Sequence, residues 1–144
     1  MKKIALTYAA GSVGGVFTAL FIWLAGLTKV TIVMGVNIAP ALTPDWIYSR
    51  AVWGGIWAML FLLPVFTGSG LVGRNRHLRA ILISMAPTLA TLLVIFPAKT
   101  GAGFFGLGLG QLTPAFVIMF NLCWALVTHE TLIRLTGNER PPVG

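Results

Sequence analysis

Two histidines, one cysteine and three acidic residues are all this chain of 144 residues has for acid–base, thiol or metal chemistry. Their positions argue against that chemistry. Zinc needs three or four ligands brought together, and His77, His129, Cys123 and the scattered carboxylates do not cluster in sequence. A membrane heme site usually takes paired histidines within helices, whereas His77 lies in a basic link and His129 near the end of the last apolar run. His129-Glu130 continues as Thr131-Leu132-Ile133, so the metalloprotease pattern H-E-x-x-H is absent. Ser12, Ser49, Ser69 and Ser84 have no evident His or Asp partner. A lone thiol forms no internal disulfide, and Cys123 reads as a small packing residue. Gly101, Gly103 and Gly106 match G-x-G-x-x-G but lack the surrounding βαβ unit of a dinucleotide site. The expectation is a chain that is not an enzyme, with no catalytic residues, metal or cofactor. His129 and Glu130 are expected to form an interfacial pair.

The elements around these residues are apolar. Ile4–Thr28, Ala51–Gly73, Ala80–Ala98 and Thr100–His129 contain no Asp, Glu, Lys or Arg. Each is close to the roughly 20 residues a helix needs to cross a bilayer. The chain is 57% hydrophobic and 9% charged, against about 25% charge in ordinary soluble domains. Backbone in lipid must satisfy its own hydrogen bonds, and the runs do not alternate as barrel strands do. The predicted fold is all-α: four transmembrane helices in a compact bundle forming a single membrane domain over 1–144. The spans fall at about 5–26, 50–66, 79–96 and 114–135. The first run is too long for a signal-peptide core and is read as the first span.

Net charge is +7, carried by short basic patches flanking the spans. That placement suits the bilayer surface and argues against nucleic acid. Lys2, Lys3, Arg74, Arg76, Arg79, Arg134 and Arg140 fall on one side of a four-span topology, and Lys29, Arg50 and Lys99 on the other. The positive-inside rule then places both termini in the cytoplasm of a multi-pass protein.

Within the spans, Gly11, Gly15 and Ala19 repeat at four-residue spacing, and Gly54 and Gly55 supply small residues in the second span. Such ridges let helix backbones approach closely. Asn121, well inside the fourth span, is expected to face other helices. Pro64 ends or kinks the second span and Pro87 kinks the third, where Ser84 or Thr88 could take up the freed Ile83 carbonyl. The segment 97–113, rich in glycine, is expected to be irregular and lodged against protein. Leu42-Thr43-Pro44 and Leu112-Thr113-Pro114 precede spans two and four, each with threonine as a good helix N-cap. Two parallel helical-hairpin repeats would explain the match, and so would shared capping chemistry.

Charged groups on the other side are sparse. Lys29, Asp45, Arg50 and Lys99, with Gln111 beside the glycine segment, form the candidate binding site for an anionic headgroup or solute. The competing reading is a set of snorkelling anchors, with Asp45 neutralised by a neighbouring cation.

The stretch Phe96-Pro97-Ala98-Lys99-Thr100-Gly101-Ala102-Gly103, the stretch Gly108-Leu109-Gly110-Gln111-Leu112-Thr113-Pro114, Asn121-Leu122-Cys123-Trp124 and Trp53-Gly54-Gly55-Ile56-Trp57 carry a resemblance. They resemble uncharacterised small four-span bacterial inner-membrane proteins, with a looser similarity to the YagU-like membrane proteins. The resemblance covers roughly the last two thirds of the chain. It implies architecture and a bacterial inner membrane, and carries over no catalytic residue. The expected function is non-catalytic: helix packing with copies of itself or with partner membrane proteins in the lipid bilayer. The alternatives are a small oligomeric channel or carrier using the outer-face site, and an accessory subunit of a larger membrane complex.

Overall fold

The computed structural model describes residues 1–67 and 74–137. Ser69 and Arg140, named above, lie outside them. The described residues are helical and include no strand. Helix α1 spans Lys2–Leu27, a single turn α2 spans Val30–Val33, and α3 spans Pro44–Ala58. A 3-10 segment, Met59–Leu62, extends α3, and a short α4 covers Pro64–Thr67. Helix α5, Arg76–Ala90, runs on as a π-helix over Thr91–Thr100. A distorted 3-10 segment, Phe104–Leu109, leads to α6, Thr113–Thr136.

Three stretches are single helices long and apolar enough to cross a membrane: Lys2–Leu27, His77–Thr100 and Thr113–Thr136. The expected second span differs. It starts at Pro44, six residues before position 50, because Thr43 and Pro44 supply the N-cap and first helical position. It also breaks near its end, where Leu63 is extended (ψ 139°). Proline disfavours helical backbone in the residue before it, so Pro64 forces that break. Large apolar side chains remain exposed all around the helices, among them Phe17, Leu24, Trp53, Val94 and Ile118. A soluble monomer rarely carries such a surface, and lipid accommodates it. The fold therefore suggests a membrane protein.

Helix α1 is the hub, with α3 and α6 packed antiparallel against it and α5 packed against α6. Small residues set the α1–α3 distance. A Cβ on Gly54 would fall 2.5 Å from the Gly11 carbonyl oxygen and 3.0 Å from Gly15 Cα. A Cβ on Gly55 would meet the Tyr8 ring at 2.6 Å. Ala19 is fully buried on the same helix. On the other flank the Trp124 indole of α6 donates to the Gly11 carbonyl at 3.2 Å. Gly11, Gly54 and Trp124 thus bring three helices to one point.

Two apolar clusters follow from this crossing. One holds Ala58, Phe61, Ala80, Ile83, Trp124 and Ala125. The other holds Ile22, Val36, Phe116 and Phe120, and draws in Ile38 and Trp46 from the first loop and α3. The loops at this end are joined to each other. Asn37 N–H donates to the Leu109 carbonyl at 2.7 Å, and Thr31 Oγ1 donates to the Ile38 carbonyl at 2.7 Å. Gly110 has φ 142° and sits where a side chain would strike the Gly35 carbonyl, so this loop contact requires glycine. The 97–113 segment is irregular, with Phe105 and Gly106 both at positive φ and Gly106 and Ala102 buried.

Local details depart from expectation in two places. Ser84 Oγ donates to the Ile81 carbonyl and Thr88 Oγ1 to the Ser84 carbonyl, each at 2.7 Å, so neither takes up the Ile83 carbonyl. A serine or threonine hydroxyl reaches back three or four residues along its own helix, which selects those acceptors. The two Leu-Thr-Pro copies also differ. Thr43 Oγ1 accepts from Trp46 N–H at 3.3 Å, whereas Thr113 is already helical and its buried Oγ1 has no hydrogen bond among the described residues. Thr43→Ala is therefore expected to cost about 1 kcal/mol. Thr113→Val is expected to be neutral or stabilising, since it removes a buried orphan hydroxyl at constant shape. Thermal unfolding in detergent compares them, and equal losses would show that Thr113 caps α6.

Candidate functional site

The antiparallel packing gathers the start of α1, the start of α5 and the end of α6 at one end, the base. Asn75 caps α5, its Oδ1 accepting from His77 N–H and Leu78 N–H at 3.1 Å. The cap places His77 and Arg79 in the first turn, which contains no acid. Cations there oppose the helix dipole.

Arg79 turns inward. Its Nη1 donates to the Phe66 carbonyl at 3.1 Å, and Nη2 donates to Nε2 of His129. Its guanidinium carbon lies 5.9 Å from the centroid of the Phe61 ring, which also meets the His129 ring edge-on. A guanidinium only donates, so in this contact His129 Nε2 is the acceptor. Arg79 Nε is buried and has no hydrogen bond among the described residues. Beside this group a cavity of about 220 Å³ is lined by His77, Leu126, His129 and Glu130.

The sequence expectation that His129 and Glu130 pair with each other is corrected. Successive helix residues point about 100° apart. His129 is buried against Arg79, while Glu130 faces outward and accepts from Arg134 Nε at 3.1 Å. That exposed pair is the one ion pair among the described residues. Among the described residues no carboxylate is ion-paired with Arg79.

The five candidate residues at the loop end are not drawn together. Lys29, Asp45, Arg50, Lys99 and Gln111 are all exposed. Lys29 occupies the left-handed region between α1 and α2 (φ 59°). Asp45 stands in the first turn of α3, where a carboxylate suits the helix dipole. Arg50 lies over the Trp46 ring at 5.5 Å. Lys99 ends the π segment, where a cation is favoured. Among the described residues no ion pair or hydrogen bond links these side chains. Asn121 is half-buried on α6. No group of three or more metal-binding side chains occurs among the described residues.

Sequence reasoning took Arg79 only as a topology-setting charge and missed its place in the core. One signal was available: Arg79 and His129 each lie at the same edge of an uncharged run, where adjacent antiparallel helices would bring them level. The result is an all-helical, apolar molecule with a polar cluster at its base. Comparison with protein-family models, curated proteins and solved structures finds no match to this chain.

Proposed function

We propose that this chain is a non-catalytic integral membrane protein that acts by packing against copies of itself or partner membrane proteins. The observation that carries this reading is the division of α1. One side is closed by glycine contacts with α3 and by α6. The other presents Val13, Phe17, Leu20 and Leu24, each exposed, beside a wholly apolar groove of about 420 Å³ bordered by Ser12, Val13, Val16, Phe17 and Leu20. These large residues recur at spacings of four and three, the pattern of a helix–helix seam.

The reading includes four crossings, with α3 and its 3-10 extension as the second. Pro44–Leu62 is 15 α-helical and 4 3-10 residues, a rise of about 30 Å, comparable to a bilayer hydrocarbon core. It places both termini in the cytoplasm, on the charge distribution of the sequence, and the protein in a bacterial inner membrane, on the resemblance to small inner-membrane proteins. Paired hairpin repeats are not needed for it.

Cysteine cross-linking in native membranes tests the packing role. In a Cys123→Ser background, Phe17→Cys is expected to give a cross-linked species heavier than the monomer, and Met119→Cys on α6 none. Monomer alone from Phe17→Cys, Val13→Cys and Leu20→Cys would remove the support for this reading.

A further inference from the structure

The loop between the π segment and α6 turns large apolar side chains outward. Phe104 is 65% exposed, Phe105 45% and Leu107 54%. Thr100–His129 holds no Asp, Glu, Lys or Arg, so this loop is as uncharged as the helix it leads into. Its backbone is closed on itself. The N–H groups of Gly106, Gly108 and Gly110 donate to the carbonyls of Gly103, Ala102 and Leu107 at 3.2, 2.9 and 3.1 Å. Ala102 N–H donates to Thr100 Oγ1 at 3.3 Å, and the Leu109 carbonyl accepts from Asn37 of the first loop. Water satisfies the donors of an ordinary surface loop, whereas irregular backbone at membrane depth must find its partners within the protein. The loop also folds back. Phe105 and Gly106, both at positive φ, reverse the chain, and Gly106 packs against the Phe96 ring and the Thr113 methyl. Phe96 precedes Thr100 by four residues, so the loop returns about one turn short of the end of the π segment.

We propose that this loop inserts into the bilayer, with Phe104, Phe105 and Leu107 among the phospholipid acyl chains just beneath the headgroups. The inference rests on the membrane reading above and extends it from the helices to a loop. Exposed apolar patches mark contacts with membrane or protein. Lipid is the occupant here because the patch continues the exposed apolar faces of the adjoining helices, among them Val94 and Ile118. Lys29 and Lys99 stand exposed at the same end, on chains long enough to extend from apolar surroundings to the phosphate level. Phe and Leu flanked by lysine is the composition of segments that bury about 5–10 Å into the boundary between headgroups and acyl chains. The two lysines then act as anchors at the rim of an embedded loop.

Electron paramagnetic resonance of the full-length protein in liposomes of phosphatidylcholine and phosphatidylglycerol tests this. In a Cys123→Ser background, single nitroxide labels are attached to Phe104→Cys, Leu107→Cys, Ile118→Cys within α6, and Lys2→Cys at the opposite end. All four native side chains are exposed, so no label displaces a core contact, and two loop positions guard against the loss of one variant. Collisions with oxygen, which partitions into lipid, are compared with collisions with a water-soluble nickel chelate present on both faces. At Phe104→Cys and Leu107→Cys the ratio is expected to shift towards oxygen, as at Ile118→Cys, and at Lys2→Cys towards nickel. Nickel-favouring labels at both loop positions, with Ile118→Cys still favouring oxygen, would overturn the inference and leave the membrane reading standing. Loop labels shielded from both reagents would overturn it as well, because a protein surface would then cover the patch. A nickel-favouring label at Ile118→Cys would remove the membrane reading and the inference with it.

Discussion

Gly54→Leu is expected to leave no stable bundle. At this crossing even a methyl group would sit 2.5 Å from the Gly11 carbonyl oxygen, 3.0 Å from Gly15 Cα and 3.1 Å from Trp124 Nε1. Two of those neighbours are backbone, so no side-chain rotation makes room. The helices must separate, and separation also breaks the Trp124–Gly11 hydrogen bond. Overpacking a tight core typically costs about 1–3 kcal/mol, and the lost bond adds about 1 kcal/mol. Gly54→Ala is expected to be milder, and Ile118→Leu, on an exposed face of α6, silent. Elution and melting in detergent decide the matter. A Gly54→Leu protein that elutes and melts like its parent would show that α1 and α3 are not in close contact.

Trp124→Ala ranks second. The indole is buried where α1, α3 and α6 meet and belongs to the apolar cluster with Phe61, Ile83 and Ala125. Truncating a buried tryptophan typically costs about 3–5 kcal/mol. Trp124→Phe keeps most of the apolar volume and loses the N–H donor, for an expected loss of about 1 kcal/mol. A graded series, parent above Phe above Ala, is the expected melting order. Equal losses for the two variants would assign the whole effect to the hydrogen bond, and no loss would remove Trp124 from the core.

The parts of this fold that are legible in sequence are those set by periodicity. Gly11 and Gly15 repeat along one face of α1, and uninterrupted apolar runs mark the three long helices. Boundaries were less legible because tertiary contacts and local bonds decide them. The π-helix over Thr91–Thr100 has no hydropathy signature, and Thr43 and Thr113 share a tripeptide yet only Thr43 caps. The candidate site was least legible. Charge counting sorts residues by side of a membrane but says nothing of lateral position. Lys29, Asp45, Arg50 and Lys99 shared a side and stayed apart, while Arg79 and His129, 50 positions apart, met. Helix order around the hub determines both results.

The bond from Trp124 to Gly11 joins positions 113 apart. During synthesis α1 emerges well before α6. Until α6 emerges, the Gly14 face of α1 lacks the helix that covers it. The centre of the molecule is thus laid down early and sealed only when α6 arrives. A membrane chaperone or a neighbouring helix has its best opportunity to occupy that surface in the interval, and a ribosome stalled before position 124 would leave it uncovered.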